Sequence, residues 1–195
     1  MSKTATRILA LDVAFCHTGV AILERKRQRW SVLHTECIST EKESRKRRIY
    51  ETDDKLRRAT MIFGRLYHLV QDYKPQLIAA ELPVSGGKSA AAHASMGMAI
   101  AIIAALGFAT GVPIRNYNWD EIKLAACDMK TAGKLQVQNA IAGMFPEIAE
   151  AYGSKKSNSG FTGDFEHIAD ALGAGLCSLE SDVVLALLTQ RDRKE

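Results

Sequence analysis

Residues 7–23 read RILALDVAFCHTGVAIL, two apolar runs on either side of a short polar break, with one carboxylate, Asp12, closing the first run. Alternating and β-branched residues on both sides predict two adjacent strands joined by a tight turn. That arrangement holds Asp12 near the middle of a sheet, where a carboxylate is costly to bury without a cationic partner. Asp12 therefore either satisfies the turn made by Ala14 to Thr18, as Asp often does, or binds a divalent metal. Two carboxylates further along the chain favour the metal.

Outward from this pair, Trp30 to Ser39 reads as a third strand, completing an antiparallel meander, and Lys42 to Arg48 is a charged connection. From Asp53 to Asp72 the apolar residues Leu56, Phe63, Leu66, Tyr67 and Val70 make a helical stripe. Gln76 to Ala80 is short, apolar and bounded, as a buried strand is, and it delivers Glu81 at its C-terminal end. In open α/β sheets ligands gather at strand ends, which suits Glu81 for chemistry; a salt bridge at a sheet edge is the plainer alternative. Leu82 to Lys88 is a loop. Its SGGKS run lacks the first glycine of a phosphate-binding loop, which would fall at Leu82, so it is read as a glycine hinge with Lys88 available to a phosphate.

Ser89 to Gly107 is predicted helical, with small residues on several faces that suit both core packing and a dimer contact. Val112 to Tyr117 supplies a fifth strand, and Asn118 caps a helix beginning near Asp120. Lys134 opens a further helix that runs to Phe145, before Pro146. Tyr152 to Asp164 is glycine- and serine-rich and basic, a mobile loop. Phe165 to Leu188 is the final long helix, its inward stripe formed by Ile168, Leu172, Gly175, Leu176 and Leu179. His167 and Asp170 stand three apart near its start and so project from neighbouring positions. A histidine there is either a satisfied structural residue or, paired with Asp170, a ligand or base.

At 195 residues with 47% hydrophobic residues, the chain suits one domain spanning 1–195 with a full core. Its four cysteines are scattered without metal-binding spacing, which argues against a zinc site or disulfide framework and for a reducing compartment. No secretion signal is visible at the start. The most apolar segment, Met96 to Ala109, is short and rich in Gly and Ala, so no membrane partner is expected. The net charge of +4 is mild, but the cations cluster at Arg45, Lys46, Arg47 and Arg48, at Lys123, Lys130 and Lys134, and at Lys155 and Lys156. Such patches fit either a polyanionic partner or a solvated face.

Three strands, a helix, a strand carrying Glu, a helix, a strand, then a closing helix carrying Asp is the element order of an RNase H-like fold: α/β, with a mixed five-stranded sheet flanked by helices. The chain resembles Holliday-junction resolvases of the RuvC type from about Ile8 to Leu179. The carriers are the Asp12 strand with Thr18-Gly19, the A-x-E ending at Glu81, Ile122-Lys123, KLQVQ at Lys134 to Gln138, and HIADAL at His167 to Leu172. Where members usually have Pro-Gly after the first Asp, this chain has Val13-Ala14, as in divergent viral and phage members. Val84 stands where an aromatic is often found, and the 152–164 loop is long.

The resemblance implies a nuclease that uses Asp12, Glu81 and Asp170, with His167 in a place where some members carry Asp. It implies two Mg2+ ions per site, about 3.5–4 Å apart, with Mn2+ able to substitute. Asp12 would bridge the ions, Glu81 and Asp170 would each help hold one, and His167 would act as ligand or general base. Lys134 and Lys123 would hold the scissile and neighbouring phosphates. Lys88, Lys130, Arg45 to Arg48, Lys155 and Lys156 would contact the rest of the DNA. The implied substrate is branched DNA, above all four-way junctions, cut by symmetric paired nicks. That symmetry requires a homodimer, paired through the 89–107 helix, and the expected location is the cytoplasm or, for a viral source, the DNA-containing compartment of the host cell. The competing readings are an RNase H-like nuclease acting also on flaps, forks or RNA–DNA hybrids, and a non-catalytic junction-binding module. An actin-like ATPase or sugar kinase, suggested by the spacing from Asp12 to Gly19, lacks its second phosphate loop here.

Overall fold

The structure is a computed structural model, and it describes residues 5–26, 29–43, 50–82, 89–153, 160–179 and 184. Its strands are β1 (Thr6–Asp12), β2 (His17–Lys26), β3 (Arg29–Ser39), β4 (Leu77–Glu81) and β5 (Ile114–Tyr117). They form one sheet in the order β3-β2-β1-β4-β5. β1 to β3 pair antiparallel, whereas β4 joins β1, and β5 joins β4, in parallel. This is the mixed five-stranded sheet predicted from the sequence. β3 carries one extra residue: Ile22 faces His34 and Leu23 faces Val32, so Leu33 bulges between them.

Among the described residues six helices cover the sheet: α1 (Glu51–Tyr73), α2 (Ala90–Thr110), α3 (Trp119–Cys127), α4 (Lys134–Met144), α5 (Pro146–Tyr152) and α6 (Gly163–Ser178). The two-residue period of a strand divides its side chains between the two faces. On β1, Leu9 and Leu11 join Ile62, Leu66 and Leu69 of α1 and Ile103 and Leu106 of α2. Ile8 and Ala10, with Leu77 and Ala79 of β4, join Ile122, Val137, Phe165, Ile168 and Leu172 from α3, α4 and α6. Each fully buried Leu, Ile or Phe in these layers contributes roughly 1.5–3 kcal/mol. Both β1 and β4 are buried on both faces, which is why their sequences read as nearly unbroken apolar runs.

Several predicted boundaries move. α2 runs past Gly107 to Thr110, where Gly111 ends it with a left-handed φ of 69°. Pro146 does not leave a loop behind it: it opens α5, because a proline at the first helical position lacks only an N–H that has no intrahelical partner there. The predicted 152–164 loop is thereby shortened, since Tyr152 closes α5 and Gly163 already begins α6. Gly153 and Phe161 form an antiparallel bridge on either side of residues 154–159. α6 ends at Ser178 with Leu179 as its C-cap, and of the rest of its predicted extension to Leu188 only Val184, which is buried, lies among the described residues. Asn118 caps α3 as predicted, accepting hydrogen bonds from the backbone N–H groups of Asp120 and Glu121.

Candidate active site

The register of the sheet assembles the site. Asp12 closes β1 directly opposite Glu81, which closes the parallel strand β4. On its other side Asp12 faces Gly19 of β2, and Gly19 faces Cys37 of β3. Residues opposite one another across a pleated sheet point to the same face. Asp12 continues the series Ile8-Ala10, and Glu81 the series Leu77-Ala79, so both carboxylates lie on the face that α6 covers.

α6 approaches this face closely because the sheet has no side chain at Gly19. A Cβ there would run into the carbonyl of His167 and then its Cβ. Gly175, about two turns further along the helix, similarly leaves room for Leu23 and Ala10. The first half of α6 thus lays His167 and Asp170 over the ends of β1 and β4. The Nδ1 atom of His167 lies 2.9 Å from Oδ2 of Asp12, and the side chains are 26% and 16% exposed. Asp12 is therefore not a turn cap. Thr18 takes that part, donating its hydroxyl hydrogen bond to the carbonyl of Ala14 at 2.8 Å.

The carboxylates repel one another. Burial, reinforced by the charge of Asp12, pushes the Glu81 carboxyl up to about 7. Burial followed by the charges of Asp12 and Glu81 pushes Asp170, which is 9% exposed, up to about 8. Lys134, at the start of α4, opposes both shifts. The hydrogen bond to Asp12 raises the pKa of His167 against the opposing effect of burial. Lys134 is itself held by an ion pair with Glu166, which raises its pKa first of all. Three half-buried to buried carboxylates with so little compensating charge are a ready receptor for a hard divalent cation, whose preferred ligands are oxygens. An all-oxygen donor set fits a hard divalent cation, and such a site suits metal-assisted hydrolysis.

The turn after Asp12 is braced from beneath by Arg58 of α1. This buried guanidinium donates hydrogen bonds to the carbonyl of Phe15 and to the Thr40 hydroxyl, each at 2.9 Å, and lies 4.3 Å from the centre of the Phe15 ring. Sequence reading missed Arg58, because within the stripe of α1 it looks like one more exposed cation. It also missed Glu166, the neighbour of His167, and His17, whose ring stacks on that of His167 at 5.3 Å between centroids. No local pattern marks either; only the seating of α6 brings them in.

The structure thus brings together Asp12, Glu81, His167, Asp170 and Lys134. Lys123 is engaged elsewhere, 3.7 Å from Asp120 and 5.4 Å from the centre of the Trp119 ring, and Lys130 is exposed in the turn between α3 and α4. Lys88, Arg45, Lys46, Arg47, Arg48, Lys155 and Lys156 lie outside the described residues, as does Val84.

Comparison with known proteins bears on the family and the fold. A protein from Methylococcus capsulatus named crossover junction endodeoxyribonuclease RuvC is 26% identical over 193 residues, covering 97% of this chain and 99% of that protein. The protein of the same name from Trichlorobacter lovleyi is 28% identical over 178 residues, covering 90% and 85%. Among solved structures, Thermus thermophilus RuvC in complex with a Holliday junction substrate superposes with a TM-score of 0.66 at 20% identity, covering 88% of this chain and 92% of that one. The yeast mitochondrial Holliday junction resolvase superposes with a TM-score of 0.59 at 13% identity, covering 97% and 86%. These superpositions place the chain in the RNase H-like fold expected from its element order. The sequence profile described as "Crossover junction endodeoxyribonuclease RuvC" matches residues 8–151, and with β1, β4 and the relatives' alignment through α6 in agreement, the chain belongs to the RuvC family of crossover junction endodeoxyribonucleases.

Proposed function

We propose that this protein is a metal-dependent endonuclease that resolves four-way DNA junctions by paired, symmetric nicks. The observation that carries the reading is the convergence of Asp12, Glu81 and Asp170 from two strand ends and a helix onto one face, two of them with strongly raised pKa values. A module that only bound DNA would gain nothing from carboxylates set against phosphates. The T. thermophilus relative was solved with a Holliday junction, which supports branched DNA as the substrate.

Asp12, Glu81 and Asp170 would hold the metal, two Mg2+ ions in this reading. When bound, such ions supply an activated water and stabilise charge on the leaving 3′ oxygen. With Nδ1 engaged by Asp12, His167 has Nε2 left to accept the proton of the attacking water. Lys134, fixed by Glu166 beside the carboxylates, would orient the scissile phosphate. The predicted grips at Lys123, Lys130 and the outlying basic clusters would position the arms without reading sequence.

Paired nicks need two sites, hence two copies of the chain. α2 supports this. It carries no Asp, Glu, Lys or Arg, and of its apolar side only Ala99, Ile102, Ile103, Leu106 and Gly107 are buried. By length and composition it could also cross a membrane, but its face forms a groove of about 330 Å³ with α1, lined by Ala59, Phe63, Met98, Ile102 and Ala105. That groove suits the same helix of a second copy, and the protein would work as a homodimer wherever its DNA lies.

The test is cleavage of a labelled immobile four-way junction beside linear duplex, flap and RNA–DNA hybrid, with Mg2+ or EDTA and with Asp12→Asn in parallel. Metal-dependent paired nicks confined to the junction support the reading. Equal cutting of flaps or hybrids would retain the chemistry and remove the junction selectivity.

A further inference from the structure

We propose that His17, Cys37 and Asp164 form a second metal site, one for a thiophilic divalent cation of the zinc class, beside the carboxylate centre and chemically distinct from it.

The sheet register places the first two ligands. His17 pairs with Ser39, and Cys37 stands two residues earlier on β3, opposite Gly19. His17 and Cys37 are therefore diagonal neighbours on one face, separated by the position that has no side chain. The gap at Gly19 that admits the backbone of His167 also lets the first turn of α6 settle over Cys37, and that turn carries Asp164. The result is one imidazole nitrogen, one thiol sulfur and one carboxylate oxygen, all within 4.8 Å of one another. These residues come from two strands and a helix, far apart in the chain, which is why the scattered cysteines showed no metal-binding spacing.

The chemistry separates this site from its neighbour. Oxygen-only ligands such as Asp12, Glu81 and Asp170 suit a hard ion, whereas sulfur, imidazole and carboxylate together suit zinc or cobalt. Zinc–ligand bonds of about 2.0–2.3 Å in a tetrahedron put ligand atoms roughly 3.5 Å apart. His17 and Asp164 are exposed, so small side-chain rotations close the remaining distance and leave an entry path from solvent. Ser39 reinforces the arrangement: its hydroxyl lies 3.1 Å from Nδ1 of His17 and 3.9 Å from Sγ of Cys37. Burial, opposed by the hydrogen bond with Ser39 and reinforced by Asp164, pushes the Cys37 thiol up to about 11. A bound cation replaces that proton, which passes to solvent. Three protein ligands leave a fourth position open, as in sites that exchange ligands rather than purely structural ones. The stacked rings of His17 and His167 set the ion next to the carboxylate centre.

Cobalt(II) is the probe, added to the full-length protein after treatment with chelator and reductant. The expected result is a thiolate-to-cobalt charge-transfer absorption that saturates at one equivalent per chain and is displaced by Zn2+. It persists in Asp12→Asn and in Cys16→Ser, and is lost in Cys37→Ala. Asp164→Asn, an exposed change that leaves the thiol and the core untouched, lowers cobalt affinity by at least the ten-fold or so that even an outer partner of a metal ligand commands. Absence of the charge-transfer band, its survival in Cys37→Ala, or unchanged affinity in Asp164→Asn would overturn the site.

Discussion

His167 reaches across 155 positions of sequence to place its Nδ1 atom 2.9 Å from Oδ2 of Asp12. This contact joins the last described helix to the first strand at the point where the carboxylates gather. Asp12 sits between them as the shared neighbour: its charge raises both Glu81 and Asp170, and its hydrogen bond raises His167. Asp12→Asn should therefore abolish cleavage, by three orders of magnitude or more if metal binding is lost, while junction binding survives in a gel-shift assay. Equal loss of binding and cleavage would make Asp12 a structural residue.

The same cluster sets a pH dependence. In the absence of divalent cation, Glu81 and Asp170 hold protons in the folded chain up to about 7 and about 8, whereas unfolded carboxyls release them near ~4. The folded state binds more protons across that window, so stability falls as pH rises through it. His167 acts in the same direction: its raised pKa contributes stability present below its ordinary value of ~6.5 and lost as pH rises through the folded value. Thermal melts in EDTA should show Tm falling from about pH 5 to about pH 8. Asp12→Asn should flatten the profile, and Mg2+ should raise Tm more at the alkaline end. A profile in EDTA that is flat for the unaltered protein would contradict the raised pKa values that burial and then mutual repulsion give these carboxyls.

Gly19→Ala tests the seating of α6. The added methyl group meets backbone of His167, which has no rotamer to escape through, so the helix must lift. Overpacking of this kind costs about 1–3 kcal/mol, read as a lower urea midpoint, together with loss of cleavage. Gly175→Ala meets first the flexible end of Leu23 and should be milder in both assays.

Lys134→Gln separates positioning from folding. The Lys134–Glu166 pair is largely exposed, with side chains 64% and 38% accessible, and such pairs contribute about 0–1 kcal/mol. Urea stability should stay nearly unchanged while cleavage drops. The log–log salt dependence of DNA binding should shallow by about one unit if Lys134 contacts a phosphate.

On α2, Met98 lines the groove proposed for the second copy. Met98→Glu should shift the protein from dimer to monomer in sedimentation without changing its far-ultraviolet circular dichroism, and the paired nicks should become single and uncoordinated. A variant that remains dimeric would move the interface off this helix.

The element order, and through it the mixed sheet, was legible in the sequence because each strand and helix carries its own periodicity. Glu81 could be placed at a strand end, and His167 with Asp170 on one helix face, from spacing alone. Pro146 misled, since a proline ends one helix and begins the next with equal ease. Tertiary structure alone decided which groups meet. The parallel register sets Asp12 beside Glu81, and the missing side chain at Gly19 lets α6 descend until His167 touches Asp12 and Asp164 nears Cys37. Glu166 enters the site by the same descent, which also stacks the His167 ring on that of His17, whereas Arg58 reaches the turn after Asp12 from α1. Local pattern reports which face of an element is apolar; how closely two such faces approach depends on the volumes lying between them, and those belong to residues far apart in the chain.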